Sequence, residues 1–207
     1  MKIECLPVGE LQTNCYLIYD GDRRGIVLDP GGEPQTILSR IAERQMDVEA
    51  VVLTHAHYDH ILATPELCRA LRVPLWCGRR DVPALEDEHR SLAAFFAPGM
   101  TLRMRAERSL CEGDVLVIGN ERLNVWETPG HTPGSICLVG DAVIFAGDTL
   151  FAGSIGRTDF PYGDPTAMMA SLRRLSALDG DRRVYPGHGG ETTLAFERVG
   201  NPYLMGM

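Results

Sequence analysis

The chain has 207 residues, 44% of them hydrophobic and 23% charged, which is the balance of a folded globular protein and excludes a disordered one. Its net charge of -8 argues against nucleic acid as a partner, because binding phosphates calls for a basic surface. No apolar run approaches the ~20 residues of a membrane span, and Lys2 is the only lysine, which argues against Schiff-base chemistry.

The chain opens in strand-like segments, Lys2 to Leu6, Asn14 to Tyr19 and Gly25 to Asp29, the last two separated by the turn Asp20-Gly21-Asp22. Pro34 suits a first helical turn, and Ile37, Leu38 and Ile41 follow at helical spacing. Ala50 to Leu53 is a short apolar run that ends abruptly in Thr54-His55. Thr64-Pro65 predicts an N-cap and first turn, with Leu67 and Leu71 on one face. Leu75 to Cys77 reads as a strand, and Arg79 to Met104 carries little pattern beyond a helical Leu92 to Phe96.

Asp114 to Ile118, Arg122 to Glu127, Ser135 to Val139 and Ala142 to Ala146 read as a second series of strands. Asp164-Pro165 opens a helix carrying Met168, Leu172 and Leu175, with Gly180 placed to stop it. Arg182 to Tyr185 is the last strand. Strands followed by a helix recur in each half, which predicts a single α/β domain over residues 1–207.

The N-terminus shows no basic segment followed by a long apolar one, and none of the six cysteines forms a C-x-x-C pair. Reduced cysteines and a cytoplasmic location are the expectation.

The chemistry concentrates where predicted strands end. Thr54-His55-Ala56-His57-Tyr58-Asp59-His60 supplies three imidazoles and a carboxylate in a few positions. Alternation lets His55 and His57 aim at one point from an extended segment, with Asp59 and His60 turned to a second nearby. His131 stands in Pro129-Gly130-His131-Thr132-Pro133-Gly134, Asp148 directly follows an apolar strand, and His188 stands in Pro186-Gly187-His188-Gly189. Single histidines and aspartates in turns are usually solvated or capping residues, and His89 in its acidic surroundings is read that way. The clustered set is different. Imidazole and carboxylate together are ligands for zinc, iron or manganese.

These residues carry a resemblance. The H-x-H-x-D-H run from His55 to His60, followed at a distance by His131, Asp148 and His188, resembles the metallo-β-lactamase superfamily. The resemblance spans Asp29 to His188 and implies an αβ/βα four-layer sandwich with metals at the edge between two sheets. It assigns His55, His57 and His131 to one metal and Asp59, His60 and His188 to the other, with Asp148 bridging. Asp29 corresponds to an aspartate expected to orient a ligand rather than bind metal.

Gly156-Arg157-Thr158-Asp159-Phe160 is similar to the glyoxalase II group and its persulfide dioxygenase relatives, and Asn201-Pro202-Tyr203 to short glyoxalase II-like proteins. The helical extension and lysine-tyrosine segment with which long glyoxalase II enzymes grip glutathione are absent, and Ile61-Leu62-Ala63 replaces a small Gly-rich loop.

The resemblance implies a hydrolase with two divalent ions, zinc ahead of iron or manganese. A metal-bridging hydroxide would cleave a small-molecule thioester such as S-lactoylglutathione. Asp59 and Asp148 are the expected catalytic carboxylates. Arg157 is either a substrate-carboxylate ligand or an ion-pair partner of Asp159, and Tyr162 is a further candidate for the substrate pocket. The alternative is a mononuclear iron persulfide dioxygenase, with His57 or His55, His131 and Asp148 as a facial triad. A ribonuclease of the same fold would want a basic surface, and a β-lactamase an export signal.

Overall fold

In the computed structural model, which describes residues 1–99, 101 and 103–205, alternating apolar strands build two facing sheets. Met100 and Leu102, within the stretch that carries little sequence pattern, fall outside that description. The first sheet has the order β1 (Lys2–Val8), β2 (Thr13–Tyr19), β3 (Arg24–Leu28), β4 (Asp47–Leu53), β5 (Leu75–Gly78) and β6 (Arg108–Leu110). Its first three strands pair antiparallel through short turns. From β3 to β6 the pairing is parallel, because helices α1 (Pro34–Arg44) and α3 (Thr64–Leu71) carry two of the crossovers.

The second sheet is built from β7 (Val115–Ile118), β8 (Glu121–Glu127), β9 (Ile136–Val139), β10 (Val143–Gly147), β13 (Arg183–Pro186) and the edge strand β14 (Thr192–Thr193). Its one parallel pair, β10 with β13, is bridged by α5 (Pro165–Ser176). A small hairpin, β11 (Leu150–Phe151) with β12 (Ser154–Ile155), stands apart, and α6 (Leu194–Gly200) follows β14.

Strand alternation then sorts side chains into layers. Ile18, Ile26, Leu28, Ala50 and Val52 face Leu123, Val125, Ile136, Leu138 and Phe145 between the sheets. Leu17, Val27, Val51 and Leu53, on the opposite face, pack on Ile37 and Ile41 of α1 and Leu67 of α3. Cys137, Val139, Ile144 and Val184 pack on Met168, Leu172 and Leu175 of α5. Each such fully buried aliphatic or aromatic side chain contributes about 1.5–3 kcal/mol relative to exposure. The result is the α/β four-layer sandwich, αβ/βα, that the sequence leads one to expect.

Three local expectations shift. Thr64 is the first residue of α3 and Ala63 its N-cap, so the threonine hydroxyl does not cap the helix. Leu92 caps the one-turn helix α4 (Ala93–Phe96) in a left-handed conformation instead of belonging to it. Gly180 does not stop α5, which ends at Ser176 with Ala177 as its cap. Leu178 turns back onto the apolar layer, and Gly180, at φ +75°, serves the turn before β13. The start of α5 is as expected: Asp164 Oδ1 accepts from the amides of Thr166 and Ala167, and Pro165 occupies the first turn. Among the described residues no helix is long and apolar enough to cross a membrane.

Candidate metal centre

The loops that follow β4, β8, β10 and β13 leave the carboxyl ends of their strands on one edge of the sandwich and converge there. His55 and His57 leave β4 in extended backbone. The chain then turns into α2 (Tyr58–Ile61), a single helical turn that swings Asp59 and His60 to a neighbouring point. His131 arrives from the β8–β9 loop, Asp148 directly after β10, and His188 after β13.

The glycines beside these ligands are required by close approach. A Cβ at Gly130 would lie 2.4 Å from Cα of Met168 in α5, and one at Gly187 only 2.1 Å from Asp148 Oδ1.

Three overlapping groups of ligand atoms result: His55, His57 and His131; His55, His60 and Asp148; and Asp59, His60 and His188. Within each group the atoms lie within 4.8 Å of one another. His57 Nδ1 is 2.8 Å from His131 Nε2, and His60 Nε2 is 3.3 Å from His188 Nε2. Asp148 stands between the groups, with Oδ1 3.4 Å from His60 Nε2 and Oδ2 3.5 Å from His131 Nε2 and 3.6 Å from His188 Nε2. Asp59 Oδ2 lies 3.2 Å from His188 Nε2 and accepts the Thr13 hydroxyl at 3.1 Å.

The outward nitrogens fix which atom points in. His131 Nδ1 meets the Arg157 main-chain carbonyl at 2.7 Å, and His188 Nδ1 meets that of Leu11 at 3.2 Å. A carbonyl only accepts, so each Nδ1 is the donor and each Nε2 carries a lone pair into the cluster. Lone pairs that face one another need a cation between them. His55 Nε2 and Asp148 Oδ1 are buried without a hydrogen-bond partner in the chain, which fits the same need. Nitrogen and oxygen donors with no thiolate in these groups suit a divalent metal.

Asp29 is placed where a ligand-orienting residue is expected. Its backbone is left-handed (φ +50°), and its carboxylate accepts the Thr54 amide at 2.7 Å and the Thr54 hydroxyl at 2.6 Å. Its Oδ2 is also 3.1 Å from His60 Nδ1, close but off the hydrogen-bond direction.

Electrostatics separates the two ends of the cluster. Burial, then the neighbouring imidazoles His60 and His131, pushes His55 far below the ordinary histidine value. Burial and His131 push His57 down to about 3. Burial opposes charge on Asp59 and Asp148 as well, but His60 and its neighbours outweigh it and hold both carboxylates ionised. His60 and His188 are shifted the other way: burial is outweighed by Asp59 and Asp148, and their values rise.

Sequence reasoning missed Asp81. Buried behind the ligand loops, it accepts the Ala56 amide at 3.0 Å, the Thr132 hydroxyl at 2.7 Å and the Gly134 amide at 2.7 Å. One carboxylate thereby ties the His55–His57 segment to the His131 loop. Its position soon after β5 is the strand-end pattern that marks Asp148, and that pattern is the only signal that could have found it.

Of the two expected substrate residues, Arg157 is on the rim of the cavity over the cluster, bonded to Asp159 through Nε and Nη2 at 2.7 Å each. The ion-pair alternative is the one observed. Tyr162 does not reach that cavity. Its left-handed backbone (φ +71°) turns the ring away to lie 4.7 Å under the Arg90 guanidinium, beside a separate crevice.

Comparison with known proteins agrees with this geometry. Residues 8–188 match the family model for the metallo-beta-lactamase superfamily. A Haemophilus influenzae relative named hydroxyacylglutathione hydrolase GloC is 35% identical over 208 residues, covering 99% of this chain and 98% of the relative. The crystal structure of BLEG-1 B3 metallo-beta-lactamase superposes with a TM-score of 0.93 at 34% identity, covering 99% of this chain and 100% of that one. TTHA1623, solved in a di-iron-bound form, gives 0.85 at 37% identity over 97% of this chain and 100% of that one. With the sandwich, the ligand loops and these likenesses in agreement, the chain belongs to the metallo-β-lactamase superfamily.

Proposed function

We propose that this protein is a hydrolase that holds two divalent metal ions and cleaves a small-molecule thioester. The observation that carries the reading is Asp148, which stands between His131 on one side, 3.5 Å from its Oδ2, and His60 and His188 on the other, 3.4 Å from its Oδ1 and 3.6 Å from its Oδ2. The likeness to GloC supports a thioester substrate, and the di-iron form of TTHA1623 supports two-metal occupancy. Zinc suits the nitrogen and oxygen donors, with iron as the alternative.

Two such ions, held by these residues, would supply a water acidified towards neutral pH and an electrophile for the carbonyl oxygen. The chain's own residues do the rest. Asp59, fixed by Thr13 and His188, orients the nucleophile, and its depressed pKa keeps it an acceptor at neutral pH. Phe160, whose ring centroid is 6.1 Å from that of His57, walls the cluster from bulk water. A thiolate leaves without a dedicated acid, since a thiol pKa is ~8.5.

Two other readings have specific support. A persulfide dioxygenase would use one iron at His57 or His55, His131 and Asp148, but gives no task to the convergence of Asp59, His60 and His188. β-Lactam hydrolysis draws support from BLEG-1.

Turnover of a thioester panel by metal-loaded protein, beside persulfide-dependent oxygen uptake and nitrocefin hydrolysis, separates the three. The account expects thioester cleavage without oxygen uptake. Persulfide-driven oxygen consumption with one iron per chain would contradict it.

A further inference from the structure

The hairpin β11–β12 forms one wall of the cavity over the cluster, a space of about 490 Å³. Phe151, Ser154 and Ile155 line it, and the Phe151 ring stands 6.2 Å from that of His188, centroid to centroid. The hairpin begins two residues after Asp148 and ends two before Arg157, whose carbonyl orients His131. Yet it belongs to neither six-stranded sheet, and each of its strands is two residues long. A two-stranded hairpin on its own is marginal in water. Leu150, buried in the α5 layer, secures its base. Its turn needs a second anchor.

The last helix supplies one. Glu197 of α6 is completely buried. Its Oε2 accepts the Gly153 amide at 2.9 Å and Asn201 Nδ2 at 2.8 Å, and its Oε1 accepts the Thr192 hydroxyl at 2.6 Å. Asn201, one turn further on and also completely buried, donates from the same Nδ2 to the Ser154 carbonyl at 3.0 Å. Its Oδ1 accepts the Tyr203 amide at 3.0 Å, which fixes which way the side-chain amide faces. The pair therefore holds the hairpin turn by the amide of Gly153 and the carbonyl of Ser154.

Burying a carboxylate is costly unless donors replace the water it loses, and an aliphatic side chain would fill the same space without that cost. What the carboxylate gains at this position is donors from three separate segments: the hairpin, the end of α6, and β14 beyond His188.

We propose that Glu197 and Asn201 are positioning residues that clamp the β11–β12 turn from behind and so place the Phe151 and Ile155 wall against which the substrate binds. The substrate in this statement rests on the thioester hydrolase reading; the clamp does not. Because it acts at the turn, while Leu150 holds the base beside Asp148, losing the clamp weakens substrate binding more than it slows the chemical step.

Steady-state kinetics on metal-loaded protein, with the fastest-cleaved thioester of the panel above, and hydrogen exchange read by mass spectrometry test this. Glu197→Ala should raise KM at least about fivefold with kcat held within about twofold, and should speed exchange across residues 150–157. Glu197→Gln should restore both, because its amide oxygen accepts from Gly153 and Asn201 while its nitrogen donates to Thr192. Thr192→Val removes the bond to β14 but neither bond at the turn, so it should lower Tm and leave KM within about twofold. If Glu197→Ala does not fold, Asn201→Ala should show the same rise in KM and the same faster exchange. Unchanged KM or unchanged exchange in the folded alanine variant, a fall in kcat at constant KM, no restoration by glutamine, or an equal rise in KM in Thr192→Val would overturn the proposal. Exchange needs no turnover: a hairpin loosened by alanine and restored by glutamine, in a protein that cleaves no thioester, would support the clamp and strike the hydrolase reading alone.

Discussion

The two ends of the ligand cluster differ in burial and in charge. His55, His57 and His131 are at most 4% exposed, with the Thr54 hydroxyl 3.2 Å from His55 Nδ1 and the Arg157 carbonyl 2.7 Å from His131 Nδ1. At the other end, the Asp59 and His188 side chains are 13% and 26% exposed, and the surroundings are rich in carboxylates. The buried trio is a preformed nest of imidazoles, in which burial disfavours the charged form of His55 and His57. The other trio is more open at Asp59 and His188, while His60 between them is fully buried. The two donor sets are therefore unequal, a buried holder beside a more exposed one.

Substitutions can break that contrast, and the largest effect belongs to the buried end. His131→Ala should remove metal from the holder and lower kcat/KM by at least about 10³-fold, measured by steady-state kinetics on a cleaved thioester. At the open end, His188→Ala should lower kcat/KM by about 10²-fold while the holder stays loaded, as metal analysis of the same sample would report.

Asp81→Ala tests whether the holder's rigidity is built from behind. It leaves two buried amides and a hydroxyl without their acceptor, a loss of about 3 kcal/mol. In a chain of this length that lowers Tm by about 6–12 °C in a thermal melt, and metal affinity at the holder should fall about 10- to 100-fold. Tyr162→Ala should have the smallest effect, within about twofold in kcat/KM, because its ring is stacked on Arg90 outside the cavity.

The seven clustered residues were legible from strand-terminal position joined either to dense histidine, at His55 to His60, or to glycine or proline neighbours, at His131, Asp148 and His188. The layer pattern was legible for a similar reason, since runs such as Ala50 to Leu53 are apolar on both faces and read as buried strands. Asp81 was not legible. Its position after β5 is a weak local signal, and its role depends on the long-range placement of that strand end beside the β8–β9 loop. Tyr162, a candidate for the substrate pocket, lies instead beside a separate crevice, its backbone left-handed and its ring against Arg90. The extent of α5 was misjudged because Gly180 satisfies a turn after the helix and not its cap. Sequence located the chemistry, while the supports behind it required tertiary contacts.

The most direct test of the two-ended centre is metal content per chain after exhaustive dialysis, compared between the unaltered protein and His188→Ala. The account predicts about two ions falling to about one. One ion in both proteins would mean that Asp59, His60 and His188 hold no metal, and the binuclear hydrolase would be contradicted.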